Sequence, residues 1–152
     1  MDLSVLVLGL LAQRLRRKAS IPASVSPRRF GWDLARPLRE GWTVAGFLGH
    51  LAFWDYQALL LIKRWKQTGV KPSPADVDVI NDGMKPLLLA IPPRKIAEMA
   101  MEAATAVDRE IEGLNPDLIA QIEAQGTNFR LNRGLHRKAH MDQIETAISK
   151  FA

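Results

Sequence analysis

Apolar residues recur along most of the chain at spacings of three and four, the period of an amphipathic helix, and no strand-like alternation lasts more than a few residues. The pattern is cleanest after Pro93, where Ile96, Ala100, Ala103, Val107, Ile111 and Leu114 mark one face while Lys95, Glu98, Glu102, Arg109 and Glu112 occupy others. An earlier segment is predicted from about Val44 to Thr68. Thr43 stands at its N-cap, Trp42 and Phe47 are spaced as a hydrophobic staple, Gly46 at the third helical position rules out a capping box, and Gly69 ends it. Leu3 to Ala19 is helical by propensity and stops at Ser20, Pro22 and Pro27. Asn115-Pro116 opens a short helix to about Gln125, broken by Gly126, and a last helix is expected from about Asn128 to Lys150. The stretch from Ile21 to Gly41 reads as a loop. Gly69 to Pro93 carries five prolines and reads as a long crossover with a short helical turn inside it. The expectation is one all-α domain over residues 1–152, a four-helix bundle with the long crossover between the second and third helices.

Composition narrows the chemistry. The 152 residues include no cysteine, which excludes a disulfide framework and any thiolate zinc site. The 47% apolar content argues against disorder, and no run reaches the eighteen or so apolar residues of a membrane span. Leu3 to Ala12 is almost wholly apolar, but Asp2 precedes it and Arg14, Arg16, Arg17 and Lys18 follow it. That is the reverse of a secretory signal and points to a cytoplasmic protein. The formal charge of +5 leaves nucleic acid or an anionic small molecule open as partners. From Arg14 to Glu40 there are eight Lys or Arg against Asp33 and Glu40, not interleaved with aromatics in the manner of a single-strand platform and without helix-turn-helix or zinc-finger spacing. A solvated basic face is therefore expected rather than a nucleic-acid interface.

The three histidines are the sharpest chemical signal. His136 and His140, four apart, share one helix face about 6 Å apart along the axis, which allows both imidazoles to converge on one ion. His50 lies mid-helix with Leu51 beside it and Phe47 and Trp54 about one turn away, so its ring needs a partner on an apolar face. Coordination would supply that partner, and so would an ordinary hydrogen bond in the core. Spacing alone leaves both readings open. Asn132 and Gln143, each about one turn from a histidine, are placed either to orient a ligand imidazole or to sit solvated at the helix edge. Asp55 lies about 140° around the helix from His50 and suits a salt bridge or cap better than the metal face. Arg133 and Arg137, beside the histidines on the same helix, are the first candidates for contacting an anionic substrate or thiol.

The order of short motifs adds context. Trp42-Thr43, then His50-Leu51-Ala52-Phe53-Trp54-Asp55, then Val77-Asp78-Val79-Ile80-Asn81, and finally His136 and His140 followed by Gln143-Ile144 resemble the DinB/YfiT-like superfamily from about Trp42 to Ile148. That resemblance implies a metal-binding four-helix bundle, often homodimeric, with zinc or nickel held by His50, His136 and His140. It also implies thiol-dependent transferase or isomerase activity, or hydrolysis, on a small-molecule substrate.

Three neutral imidazoles would leave a divalent cation its full charge and an exchangeable position, acidifying a bound water or ionising a bound thiol. The expected function is therefore a metal-dependent thiol S-transferase or small-molecule hydrolase. A non-catalytic bundle acting as a binding or structural dimer is the alternative. With no cysteine in the chain, a thiol route needs a low-molecular-weight thiol. A Ser-His-Asp mechanism is disfavoured once every histidine is engaged.

Overall fold

A computed structural model describes residues 34–125 and 129–149, and among these the chain is helical throughout: a 3₁₀ turn at Arg39–Gly41, five α-helices and no strand. The helix expected over Leu3 to Ala19 and most of the basic stretch lie outside the described residues. We label the helices α1 (Val44–Thr68), α2 (Val77–Ala90), α3 (Pro93–Glu112), α4 (Pro116–Ala124) and α5 (Arg133–Ser149). No helix among the described residues is long and apolar enough to cross a membrane.

Helix α1 is the spine. The Thr43 hydroxyl accepts from Gly46 N–H at 3.0 Å, satisfying one of the free donors of the first turn. Trp42 and Phe47 close the staple with ring centroids 5.6 Å apart. At the other end Gly69 takes φ 77° and donates to the Trp65 carbonyl, a left-handed exit that favours glycine. Helix α3 lies along α1, burying Ile96, Ala100, Ala103, Ala104 and Val107 against it. The stripe expected from periodicity is thus the buried one. Helix α4, capped by the Asn115 carbonyl oxygen accepting from Leu118 N–H at 2.8 Å, adds Leu118 and Ile122 to the cluster around Trp65 and Val107.

The crossover differs from expectation. It holds not a short turn but the fourteen-residue helix α2, which continues through Pro86. The Asp76 side chain starts it by accepting from Val79 N–H, and the run from Met84 to Leu89 favours helix strongly enough to tolerate one missing donor, a cost of about 3 kcal/mol in an isolated helix. Its seat on α1 explains why it forms. A Cβ on Gly49 would come within 2.9 Å of the Leu88 side chain, so glycine there lets α2 sit close without displacing that leucine. The Trp54 indole N–H donates to the Asn81 side-chain oxygen at 3.0 Å, fixing the register between the two helices.

Helix α5 begins at Arg133, five residues later than periodicity suggests. Its inward stripe is unusual in composition: Arg133, Arg137, Met141 and Ile144, spaced by four, four and three, are all buried. Met141 and Ile144 join the core of α1 and α3. The two arginines meet buried carboxylates instead. Arg137 donates through Nε to Asp55 Oδ2 at 2.7 Å and through both terminal nitrogens to Asp108 at 2.7 and 2.8 Å, while Arg133 Nε donates to Asp55 Oδ1 at 2.9 Å. Two positive and two negative groups thus pin α5 to α1 and α3 at once. Burial by itself would lower the Arg137 guanidinium, but the hydrogen bonds and charges of Asp108 and Asp55 more than offset this and leave its pKa raised.

Breaking such a network strands charge. Replacement of Arg137 by Met keeps the volume but leaves two carboxylates facing each other in the interior, and should lower the unfolding free energy by about 3–5 kcal/mol in urea titrations. A loss no larger than that of an exposed ion pair such as Lys138–Asp142 would contradict the assignment.

Candidate metal centre

The stripe of α5 adjoining the arginines carries His136 and His140, and the anchored helix turns both toward His50 in the middle of α1. The three rings pack with centroids 4.7 to 5.3 Å apart. One nitrogen from each lies within 4.8 Å of the other two. His50 Nε2 and His136 Nε2 are 3.3 Å apart. Two nitrogens each about 2.0–2.1 Å from a tetrahedral centre stand about 3.3–3.4 Å apart, so this edge already has the span of a shared ligand pair.

Aromatic neighbours enclose the cluster. Phe47, the staple residue, meets His140 edge-on at 5.1 Å, and Trp42 and Trp54 flank His50 at 6.1 and 6.3 Å. The enclosure keeps all three imidazoles neutral. Burial is the main cause at His50, with the charges of His140 and Arg133 adding to it, and its pKa falls to about 4. Burial again dominates at His136, followed by the Arg133 guanidinium, and its pKa falls to about 3. His140 is lowered by burial in spite of a hydrogen bond to Gln143 that raises it. Neutral rings keep the lone pairs that coordination needs.

The hydrogen bonds around the cluster set the tautomers. His140 Nδ1 lies 3.0 Å from Gln143 Oε1, an acceptor, so Nδ1 carries the proton and Nε2 the lone pair. Of the two uses open to Gln143 on sequence, holding a histidine ring is the one its position serves. His136 is the reverse. Its Nδ1 is 3.3 Å from Arg133 Nη2, which can only donate, so the neutral ring is protonated at Nε2 and donates toward His50 Nε2. The donor set therefore fits a divalent cation on one condition: the His136 proton must leave Nε2, and Arg133 must yield its contact with Nδ1.

The two arginines expected from sequence to contact an anionic substrate or thiol are both held by buried carboxylates. Arg137 is 0% exposed and fully engaged by Asp55 and Asp108, so it cannot serve as a contact for an anionic substrate or thiol. Arg133 does reach the cavity beside the histidines, but its charge is matched by Asp55. Asp55 forms the salt bridge suggested by its angular position. Asp108 had no role in the sequence reading. Its signal was present: it stands four residues after Ala104 on the buried stripe of α3, where a lone acid requires a buried counter-charge.

A cavity of about 760 Å³ opens beside the cluster, with His50, His136 and His140 in its wall together with Trp54, Asn81 and Arg133. Compared with protein-family models, with curated proteins and with solved structures, the chain shows no significant match to any of them.

The lowered imidazoles give stability a defined pH dependence. Each has a folded pKa below its unfolded value of about 6.5, so the unfolded chain takes up protons first on acidification. Metal-free protein should hold this contribution above about pH 6.5 and lose it as the pH falls toward about 4. The urea midpoint should drop across that window, and less steeply in a His50→Asn/His136→Asn double variant. A midpoint that stays level, or an equal slope in the variant, would contradict the buried neutral cluster.

Proposed function

We propose that the protein is a divalent-metal-dependent enzyme acting on a small molecule in the cavity beside the histidines, with His50, His136 and His140 as the metal ligands. The observation that carries this reading is the convergence of three neutral imidazoles, one pair already at a ligand-pair spacing, on the wall of a cavity of ligand size. Bound there, zinc or nickel would supply Lewis acidity, making a neighbouring water or thiol a stronger nucleophile near neutral pH. The chain's own part is to offer lone pairs, to hold the His140 ring through Gln143, and to keep bulk water away with Phe47, Trp42 and Trp54. Hydrolysis and thiol transfer both suit such a centre, and the thiol route would draw on a small-molecule thiol because the chain has no cysteine. The motif resemblance to the DinB/YfiT-like superfamily supports the same reading. With it comes the proposal that the chain is a four-helix bundle, in which α2 forms part of the crossover, and that the bundle pairs as a homodimer.

A second reading has its own observation. Arg133 donating to His136, and His136 to His50, satisfies two of the rings without any cation, as a polar plug in a non-catalytic bundle would.

Metal content separates the two. Untagged protein from metal-replete cells should carry about one equivalent of a transition metal, and His136→Ala should lower that more than about ten-fold. Chelation should abolish turnover in assays of ester hydrolysis and of thiol addition to electrophiles. Less than about a tenth of an equivalent in the parent protein, or unchanged occupancy in the variant, would favour the plug.

A further inference from the structure

The cavity has a direction. Its lining on α1 is His50, Trp54, Gln57, Leu61 and Trp65, spaced by four, three, four and four, which is a single stripe along one face of the helix. Fifteen residues at 1.5 Å rise make that stripe about 22 Å long. The histidines stand at one end. At the other, Trp65 meets Phe129 edge-on at 5.0 Å, and Arg130 follows Phe129 immediately. Between the ends the walls are mainly apolar, with Pro72, Pro74 and Val77 on the approach to α2 and Leu135 on α5.

Charge is distributed unevenly along this groove. None of its lining residues is acidic. Arg133, near the histidines, is matched by Asp55. Arg130, at the far end, is exposed and has no ion pair or hydrogen bond among the described residues. An elongated apolar trough ending at a guanidinium that has no carboxylate partner among the described residues suits an amphipathic anion, because the ligand's chain gains burial along the trough while the guanidinium donates to a carboxylate in fork geometry.

We propose that the groove binds an elongated aliphatic or aryl-aliphatic monocarboxylate, its carboxylate held at Arg130 and its opposite end delivered to the three histidines. Binding of the carboxylate stands on the groove alone; delivery of a reacting end rests on the metal-centre reading above. Arg130 is then a specificity-determining residue, selecting anions over neutral molecules of the same shape, and Gln57, half-buried at the middle of the stripe, lies under the ligand's chain.

Decanoate and decan-1-ol, which share a chain and differ in charge, test this by isothermal titration of the full-length protein after treatment with EDTA. Decanoate should bind at least about ten-fold tighter than the alcohol, as expected for a charge-assisted contact. Arg130→Gln should erase that preference while changing the alcohol's affinity less than about two-fold, and its exposed position leaves folding intact. Gln57→Trp should block both ligands without lowering the melting temperature. Equal affinity for the two probes, no binding of either, a preference that survives Arg130→Gln, or binding unaffected by Gln57→Trp would each overturn the proposal. His50→Ala separates the two readings: it should lose metal yet keep the decanoate preference, so failure of the metal centre and failure of the groove give different results.

Discussion

The arrangement depends on two arginines buried on one helix and the two carboxylates that receive them. Removing four charged groups from water costs several kcal/mol per ion, and attraction offsets this only when geometry and hydrogen bonding are nearly complete. Here Asp55 receives one arginine on each oxygen, and Asp108 takes Arg137 in a fork at 2.7 and 2.8 Å. The result is directional in a way apolar packing is not. Met141 and Ile144 would tolerate some sliding of α5, whereas the paired guanidinium contacts hold it at one height and one rotation. That rotation decides which side of α5 faces His50.

The same network sets the electrostatics of the histidines. Arg133 is shared between the scaffold and the site, donating through Nε to Asp55 and approaching His136 Nδ1 through Nη2. Its positive charge is the second cause, after burial, of the depressed His136 pKa. A ring held neutral by a fixed cation is ready to give a lone pair, yet the contact that holds it occupies the nitrogen opposite the one needed for coordination. Cation and guanidinium therefore compete for the tautomer of His136. His140, steadied by an acceptor, has no such conflict.

Much of this was legible in the residues, and the exceptions have physical causes. The limits of α1 could be read because Thr43, the Trp42–Phe47 staple and Gly69 act locally, each within a turn of its own backbone. The face of α3 could be read because its apolar stripe is uninterrupted from Ile96 to Val107. Helix α2 was not, since five prolines outweighed a capping aspartate, and what stabilises it is contact with Gly49 and Trp54 forty residues or fewer away, invisible to local propensity. On α5 the spacing of His136 and His140 marks a shared face, while the same spacing in Arg133 and Arg137 suggested contacts for an anionic substrate or thiol rather than buried ion pairs. Long basic side chains are usually exposed, and only the acids at Asp55 and Asp108 on otherwise apolar stripes indicate that these are not. His50 could be placed on an apolar face, but its meeting with residues 86 and 90 positions later is a product of the charge network.

The central claim is that these three imidazoles grip a common cation. X-ray absorption at the zinc edge of the stoichiometric complex tests it most directly. The account predicts nitrogen neighbours at about 2.0–2.1 Å with outer-shell scattering from three imidazole rings, reduced to two in His50→Ala. A first shell of oxygen alone, or a spectrum that His50→Ala leaves unchanged, would contradict it.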